Sequence, residues 1–492
     1  MELKDYREQI DAIDREIVRL FEARMGLSAE IAAYKKAHGL PVLQPAREQE
    51  KLEVLTATVG DDLKAPLREL YTKIFELSRA QQQSALRCGL LGEHLGHSYS
   101  PRLHAMLGGY GYELFEIAPE ALGDFLQSGA IDALNVTIPY KRAVTSYCAE
   151  LSETARQTGS VNTLLRRPDG TLFGDNTDYD GFSWLLERNG GVRPGEHAVV
   201  LGDGGASKTV QAVLRDRGAK ITVLSRKGEN SFDKISESGD AVLLVNATPV
   251  GMYPRNGERL VDLSLLPNCR LVLDLIYNPA RTRLLLDAEE RGIRCENGLA
   301  MLVGQAKRAA ELFTGTDIPD SRCEEILCKL NGEMRNLILI GMPGCGKSAV
   351  GRLLAEQLRR PFYDADAEIE KDLGCDIPTV FAQRGEAAFR EAETRVLERL
   401  GRESGCVIAT GGGCVTREEN YPLLHQNGKI VWLRRPLDRL PKDGRPVSQS
   451  TDLSELYEAR KPLYERFCDF TVDNDSTPEE AVAAILREGE TR

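Results

Sequence analysis

A chain of 492 residues is too long for one hydrophobic core and predicts about three domains of ordinary size. Its composition, 42% apolar and 28% charged, is that of a soluble globular protein, and its net charge of −12 argues against a nucleic-acid or anionic-membrane role for the whole chain. The charged start MELKDYREQI, and the lack of any apolar run near the ~18 residues of a membrane span, predict a cytoplasmic protein. The 11 cysteines are scattered without a C-x-x-C pair, which favours reduced thiols over disulfides or a zinc ribbon.

The first 86 residues show only helical periodicity, and the interruptions HGLPVLQP and TVGDDLKAP predict a long, a short and a medium helix. In the first helix, apolar residues recur at alternating steps of three and four and form an apolar seam. The seam consists of Leu3, Tyr6, Ile10, Ile13, Ile17, Leu20, Leu27, Ile31 and Tyr34. Arg24 fills one position of this seam. Its neighbours on the same helix face, three and four residues away, include no carboxylate, since they are Leu20, Phe21, Leu27 and Ser28. We therefore interpret Arg24 as a residue that binds an anion.

A second cation shares the helix face of Arg24. Lys35 follows eleven residues later, and eleven steps of about 100° return to within about 20° of the same face while advancing about 16 Å. The other predicted helices supply polar groups, Ser78 and Gln82 from the third and Arg47 and Glu48 from the second. A small dianion between these helices would satisfy Arg24.

Over residues 1–84 this arrangement resembles the all-helical chorismate mutase family. The resemblance implies an intertwined dimer, in which the first helices of two subunits pair and Arg7 completes the site of the partner. Arginines would hold both carboxylates of chorismate, Lys35 with Gln82 would stabilise charge on the ether oxygen, and Glu48 would bind the hydroxyl.

Gln44 departs from the family, which commonly has an aspartate at this position, and the change weakens the hydroxyl contact. Three functions stay open. The first is a working mutase, and the second is a non-catalytic module that dimerises, senses chorismate or prephenate and regulates the rest of the chain. A third is a purely structural dimerisation domain, in which Arg24 pairs with a carboxylate of the partner.

From RCGLLGEHLGHSYSP onward, short β-branched runs alternate with helical stretches, which predicts an α/β fold with a mostly parallel sheet. The segment VVLGDGGASKTV joins a strand to a helix, a weak signal for a dinucleotide site by itself. Its candidate cofactor-binding residues are Gly202, Gly204, Gly205, Ala206 and Ser207. Asp203 would repel a pyrophosphate unless its carboxylate points away.

The next strand ends at Ser225, Arg226 and Lys227, where an NAD-binding fold would place an acidic residue for the ribose. Two cations there fit a 2′-phosphate, so the sequence favours NADP over NAD within a Rossmann domain.

The segments HSYSPRLH, NVTIPYKRAV, GSVNTL, GDNTD, NATPVGM, DLIYNP and NGLAMLVGQA, across residues 88–316, resemble shikimate dehydrogenase. The resemblance implies that Ser98 and Ser100 hold the substrate carboxylate, that Thr137, Asn162 and Gln305 contact its hydroxyls, and that Lys141 and Asp178 form the catalytic pair. Reduction of a ketone leaves an alkoxide, which a lysine bonded to a carboxylate can protonate.

Two alternatives exist for this region. A metal site of His94, His97 and His104 is possible by spacing, but no carboxylate or cysteine clusters with them, and the serine-rich clamp explains the segment better. The other alternative is a quinate/shikimate dehydrogenase that uses NAD.

After a polar connection near residue 332, the strand NLILIGM begins a second α/β unit. The following GMPGCGKS fits the P-loop pattern G-x-x-x-x-G-K-S between a strand and a helix. Backbone amides around Gly344 and Gly346 can surround phosphate oxygens, while Lys347 reaches the β and γ phosphates and Ser348 holds magnesium. The segment FYDADAEIE then places Asp364 and Asp366 on alternate residues, so that they diverge and can serve magnesium and an acceptor hydroxyl separately.

With RGEAAFREAE, TGGGCV, GRPV and EARKPLYERF, residues 335–492 resemble shikimate kinase. The resemblance implies that Asp366 accepts the proton of the shikimate 3-hydroxyl, while Arg390 and Arg460 bind the shikimate carboxylate. It also implies backbone donors at Gly412 and Gly413 and places Asp364 and Ser348 near magnesium. Arg445 would be the lid arginine that reaches the transferring phosphoryl group. The segment before GRPV is short for the family, which leaves an adenine-stacking role of Arg439 open.

The sequence thus predicts a multidomain chain: a helical part at 1–86, a dehydrogenase part at 87–330 and a P-loop kinase part at 333–492. In the dehydrogenase part, about 87–190 plus C-terminal helices would bind substrate and about 191–295 would bind NADP. The expected reactions are 3-dehydroshikimate to shikimate, shikimate to shikimate 3-phosphate, and chorismate to prephenate. NADP(H), ATP and Mg²⁺ are the expected cofactors, the partners are small-molecule substrates and a second copy of the chain, and neither nucleic acid nor membrane is expected.

Overall fold

The computed structural model describes residues 3–38, 45–84, 86–96, 98–226, 230–440 and 453–491. Four residues discussed above lie outside these ranges: Gln44, His97, Lys227 and Arg445. Two compact units are present. The first contains Met1–Glu196, Asp203–Ile221 and Ala300–Ile326, and the second contains His197–Gly202, Thr222–Leu299 and Leu327–Arg492. No helix in the described ranges is both long and apolar enough to cross a membrane.

The described residues of the N-terminal part form helices joined by turns, with no strand among them, as predicted. Its helices are α1 (Leu3–His38), α2 (Pro45–Thr56) and α3 (Asp61–Ser84). Helix α3 packs against both of the others. The apolar seam of α1 is not covered by them, because residues such as Ile13 and Ile17 are 60% and 58% exposed. This part of the chain therefore leaves a long apolar face open.

A mixed sheet forms the second part of the first unit, in the order β2-β1-β3-β5-β6-β4. Its elements are β1 (Arg87–Gly92), α4 (Ser100–Leu107), β2 (Gly111–Glu116), α5 (Leu122–Gln127), β3 (Ala133–Val136), β4 (Cys148–Leu151), α6 (Glu153–Thr158), β5 (Thr163–Arg166), β6 (Leu172–Asp175) and α7 (Asp178–Arg188). Strand β5 runs antiparallel to both neighbours, and the other pairs are parallel. The ends of β3 and β6 carry the residues predicted for catalysis.

A second sheet has the order β11-β10-β9-β7-β8. The elements are β7 (His197–Leu201), α8 (Gly205–Asp216), β8 (Lys220–Leu224), β9 (Leu243–Asn246), β10 (Leu271–Asp274), α9 (Arg283–Glu290), β11 (Arg294–Glu296), α10 (Leu299–Thr314) and α11 (Asp320–Met334). Strands β7, β9 and β10 are fully buried, as expected of parallel strands covered on both faces.

The C-terminal part contains a parallel sheet in the order β13-β14-β12-β15-β16. The elements are β12 (Asn336–Ile340), α12 (Lys347–Leu358), β13 (Phe362–Asp364), α13 (Ala365–Leu373), α14 (Ile377–Gly401), β14 (Val407–Ala409), α15 (Asn420–His425), β15 (Gly428–Arg434), α16 (Leu453–Phe467), β16 (Phe470–Asp473) and α17 (Pro478–Thr491). In such sheets ligands bind beyond the carboxyl ends of the strands, where the loops after β12, β13 and β14 meet. The predicted fold class, helical and then twice α/β, is confirmed.

Candidate active sites

In the helical part, Arg24 reaches across to α3. Its guanidinium donates a hydrogen bond to Ser78 Oγ and lies 5.6 Å from the centre of the Phe75 ring. Nearby, Gln82 Nε2 donates to Ser28 Oγ at 3.2 Å, and Gln82 Oε1 is buried without a hydrogen-bond partner in the described chain. The structure thus brings Arg24, Ser78 and Gln82 together, as predicted. The Oε1 atom of Gln82 remains available to accept a hydrogen bond from a ligand.

Lys35 lies close to the second helix. Burial lowers the pKa of Lys35, the Glu48 carboxylate raises it, and the Arg47 guanidinium lowers it further. Glu48 is itself held by Arg79, whose Nη1 lies 2.5 Å from Glu48 Oε2. Sequence reasoning missed Arg79, although it precedes Gln82 by three residues and so lies on an adjacent helix face. Arg7 and Arg47 are exposed.

In the first α/β part, Lys141 and Asp178 form a close ion pair with 2.6 Å between Nζ and Oδ2. The lysine is 33% and the aspartate 18% exposed, so the pair is accessible to a small substrate. Asp178 begins helix α7. Three residues later, Gly181 packs so closely on α10 that an added Cβ would lie 2.9 Å from the backbone nitrogen of Gln305. Glycine is therefore required for α7 and α10 to approach each other here.

Asn162 lies at the centre of this site and is 2% exposed. Its backbone carbonyl accepts from Val136, and the neighbouring Val161 amide donates to the carbonyl of Lys141, both at 2.7 Å. The Asn162 Oδ1 atom accepts from the Thr177 amide at 2.8 Å, whereas its Nδ2 is buried without a partner in the described residues. An unsatisfied buried donor beside the ion pair suits a substrate hydroxyl.

The other predicted substrate contacts are partly buried. Ser98 Oγ accepts from the Ser100 amide at 3.2 Å, where α4 begins, and Thr137 follows the end of β3. Gln305 Nε2 donates one hydrogen bond to the Leu302 carbonyl of its own helix at 3.0 Å.

The two described histidines of this region, His94 and His104, have different environments. His104 is fully buried, its ring stacks 4.0 Å from that of Tyr112, and its Nδ1 pairs with the Tyr110 hydroxyl at 2.6 Å. Burial lowers the pKa of His104 to about 3, so the ring is neutral. His94 is exposed. Within the described ranges no three His, Cys, Asp or Glu residues are grouped as metal ligands.

In the loop after β7, Gly202 has a φ of +105°, and an added Cβ would lie 2.9 Å from Thr248 Cγ2. Glycine is required there, because its backbone has a positive φ and because Thr248 leaves no room for a side chain. Gly204 caps helix α8, which begins at Gly205, and Ser207 is fully buried. The side chains of Asp203 and Ala206 are exposed. Beyond β8, Ser225 is buried and Arg226 exposed, as expected if Arg226 meets a phosphate from solvent.

The C-terminal part contains a cavity of about 410 Å³ beyond the carboxyl ends of its strands. The lining includes the P-loop residues Gly344, Gly346, Lys347 and Ser348, together with Asp366, Arg390, Glu393, Gly412, Gly413 and Arg460. Nearly all kinase residues predicted from the sequence and described in the structure therefore face one space.

The P-loop is arranged to receive phosphate. Lys347 Nζ donates to the carbonyls of Gly341 and Met342 at 2.9 and 3.0 Å, so its charge points along the loop. Gly346 has a φ of +99°, and an added Cβ would lie 2.5 Å from Asn474 Nδ2. Asn474 also donates to the Cys345 carbonyl at 2.8 Å, a supporting contact that sequence reasoning missed.

The two alternate aspartates separate as predicted. Asp364 Oδ2 accepts from Ser348 Oγ at 2.6 Å, the pairing expected of two magnesium-side residues, while Asp366 lines the cavity. An added Cβ at Gly411 would lie 2.8 Å from both Asp366 Oδ1 and Glu393 Oε1. The absence of a side chain at Gly411 thus leaves room for both carboxylates.

Both predicted carboxylate-binding arginines are buried and held in place. Arg390 Nη1 donates to Glu393 Oε2 at 2.7 Å, and Arg460 Nη1 donates to the Gly412 carbonyl at 3.0 Å, which also accepts from the Tyr464 hydroxyl. Burial raises the pKa of Glu393, while Arg390 lowers it. Sequence reasoning missed Glu393, although its spacing of three from Arg390 places both on one helix face. Arg439 is exposed and donates to the Asp475 carbonyl.

Three family models match successive parts of the chain: chorismate mutase type II at 6–83, the shikimate dehydrogenase substrate binding domain at 90–164, and shikimate kinase at 343–489. The shikimate dehydrogenase (NADP(+)) of Clostridium beijerinckii is 41% identical over 249 residues, which are 46% of this chain and 90% of the relative. That of Clostridium perfringens strain 13 is 35% identical over 261 residues, 48% of this chain and 96% of the relative.

Among solved structures, a chorismate mutase/shikimate 5-dehydrogenase fusion protein from Clostridium acetobutylicum is 37% identical, covering 50% of this chain and 96% of its own, with a TM-score of 0.47. The family models confirm the three predicted resemblances in the predicted order. Because it matches 90% of a 41% identical relative, the chain belongs to the shikimate dehydrogenase family, and the matches on either side make it a multifunctional enzyme of the shikimate pathway.

Proposed function

We propose that residues 87–330 reduce 3-dehydroshikimate to shikimate with NADPH. The observation that carries this proposal is the partly exposed Lys141–Asp178 pair beside the unsatisfied donor of Asn162. Asp178 orients the lysine through their ion pair, and Lys141 gives its proton to the oxygen of the ketone as hydride arrives at carbon. The test is oxidation of NADPH by the full-length protein with dehydroshikimate as substrate.

NADP is the proposed cofactor, because a 2′-phosphate suits Arg226 with Lys227. Replacing both by serine removes charged hydrogen bonds of ~1.5–3 kcal/mol and is expected to raise the KM for NADPH by about 10- to 100-fold, with little change in the KM for NADH. Initial rates at varied cofactor concentration measure this. A similar rise for both cofactors would favour the NAD-using quinate/shikimate dehydrogenase.

We propose that residues 333–492 transfer the γ-phosphate of ATP to the 3-hydroxyl of shikimate. The cavity has charges of the required signs, with Lys347 for phosphates and Arg390 and Arg460 for a carboxylate. Asp364 and Ser348 would hold Mg²⁺, which neutralises phosphate charge, and Asp366 would take the proton of the hydroxyl. Shikimate-dependent formation of ADP by the full-length chain tests this activity.

For residues 1–86 we propose the rearrangement of chorismate to prephenate, with Arg24, Lys35 and Gln82 around the substrate. The alternative, a module that senses chorismate or prephenate, gains support from Glu48, because Arg79 already occupies the carboxylate that would bind the hydroxyl. Two measurements distinguish the mutase from the sensor. One is the conversion of chorismate to prephenate, and the other is the dehydrogenase and kinase rates with and without chorismate or prephenate. No turnover with altered rates favours the sensor, and turnover with unaltered rates favours the mutase.

Arg24→Gln is expected to weaken the binding of chorismate by at least about tenfold, because it removes a charged donor from a partly buried site. Calorimetric titration of the full-length protein with chorismate measures the affinity. The matched control is Arg19→Gln, which removes an equal charge from an exposed ion pair with Glu16 on the same helix. Equal weakening by both substitutions would show that Arg24 has no specific role.

We propose that the apolar seam of α1 pairs with that of a second copy, since a face of this length on one chain marks an interaction surface. Light scattering is expected to give twice the 54.4 kDa of one chain. Ile13→Asp with Ile17→Asp should yield monomers, whereas Val54→Asp, at a 62% exposed residue of α2, should not. A wild-type monomer would contradict the proposal.

A further inference from the structure

A second cavity, of about 160 Å³, lies within the second unit and shares no lining residue with the kinase cavity. Its walls come from the β10–α9 connection, α9 and β11, from the C-terminal end of α11, and from two loops of the kinase part. Its polar lining includes Arg281, Glu289, Glu296, Arg335, Ser404 and Asn427. The cavity therefore borders both α/β parts of the chain.

Arg335 is a partly buried cation in this cavity. Its guanidinium makes no hydrogen bond or ion pair with any residue in the described ranges, and only longer-range attraction reaches it from Asp469 and Glu289. Burial lowers the pKa of Arg335, and the positive charge of Arg281 lowers it further. A buried guanidinium without a direct partner is costly, so this position calls for an anion.

The carboxylates nearby are already engaged. Glu289 lies 2.8 Å from Arg281 and 3.3 Å from His425, and Asp469 accepts from the Ile430 amide at 2.6 Å. Glu296 also has an interaction partner of its own. These acids offset the overall charge around the cavity, but none of them makes a hydrogen bond to Arg335.

The walls of the cavity are held by direct hydrogen bonds. Asn427 is 4% exposed, accepts from the Ala280 amide at 2.8 Å and donates to the Tyr253 hydroxyl at 2.8 Å. The Arg281 amide donates to the Gln426 carbonyl at 2.8 Å. A cavity with such walls is preformed, which lowers the entropic cost of binding.

We propose that this cavity binds a phosphate group, with Arg335 as its principal cation and Arg281 and Ser404 as further donors. The volume exceeds the roughly 30 Å³ of a water several times and is below the ~300 Å³ typical of larger ligands. Guanidinium and hydroxyl donors suit a tetrahedral oxyanion. The group is either free phosphate or part of a phosphate ester, and its binding stabilises the walls contributed by both α/β parts.

The test is a calorimetric titration of the full-length protein with inorganic phosphate, in a Lys347→Ala background that disables the P-loop. Binding is expected, and adding Arg335→Gln should weaken it by at least about tenfold. The matched control is Arg255→Gln, which removes the same charge from a 65% exposed side chain and should leave the affinity unchanged. Absence of binding, affinity unaffected by Arg335→Gln, or equal weakening by the control overturns the proposal.

The source of the phosphate is distinguished by repeating the titration with shikimate 3-phosphate, an arm that rests on the proposed kinase reaction. Tighter binding than that of inorganic phosphate, lost with Arg335→Gln, identifies an ester ligand, and equal affinities identify free phosphate. Folding is checked by thermal unfolding of each variant. If Arg335→Gln does not fold, Arg335→Lys replaces it as the test variant. Lysine keeps the charge but lacks the forked donors of a guanidinium, so phosphate binding should weaken severalfold. An unchanged affinity of the Arg335→Lys variant for phosphate overturns the proposal.

Discussion

Replacing Lys141 with methionine is expected to lower kcat for the reduction of dehydroshikimate by about 10²- to 10⁴-fold, because the variant lacks the ammonium group proposed to protonate the developing alkoxide. Lys141 lies 2.6 Å from Asp178 and is only one-third exposed, so water would replace its proton poorly. The KM should change less than kcat, since the charge acts mainly in the transition state. Stopped-flow oxidation of NADPH measures the effect.

The kinase activity of the same variant provides an internal control, because Lys141 and the P-loop belong to different compact units. Lys208→Met removes an equal charge at an exposed position of α8 and should retain normal reduction. Asp178→Asn should also lower kcat, because the amide no longer forms the ion pair that orients Lys141. A Lys141→Met enzyme with near-normal kcat would contradict the assignment.

Much of the kinase cavity followed from the sequence because its signals are local. The P-loop pattern depends on contiguous residues between a strand and a helix, and alternation alone separates Asp364 from Asp366. The supporting residues were missed because their partners are distant in the chain. Asn474 contacts the carbonyl of Cys345 across 129 residues, and no periodicity in either segment indicates that contact.

The helical part shows the same limit. The seam of α1 and the helix-face relation of Arg24 to Lys35 are properties of one helix, so the sequence contains them. The pairing of Arg79 with Glu48 depends on how α3 packs on α2, which helical periodicity does not specify. This missed contact affects the function, because it engages the carboxylate that would bind the hydroxyl of chorismate.

Replacing Asp366 with asparagine is expected to lower kcat for the phosphorylation of shikimate by about 10²- to 10³-fold. The amide cannot accept the proton of the attacking hydroxyl, although the loose transition state of phosphoryl transfer keeps this loss below the upper range for a general base. The KM for shikimate should change little, because the proposed carboxylate-binding residues Arg390 and Arg460 are held by Glu393 and by the Gly412 carbonyl rather than by Asp366. A coupled assay of ADP release at saturating ATP measures both constants.

Two comparisons distinguish proton transfer from loss of charge. Asp372→Asn removes the same charge from α13 at a 47% exposed residue and should leave kcat unchanged. Asp364→Asn should instead raise the requirement for Mg²⁺, because Asp364 holds Ser348 rather than facing the cavity. The contradicting result is an Asp366→Asn variant that needs more Mg²⁺ and recovers its kcat at high Mg²⁺. Asp366 would then lie on the magnesium side, and the two aspartates would not have the separate roles that their alternation in the sequence predicts.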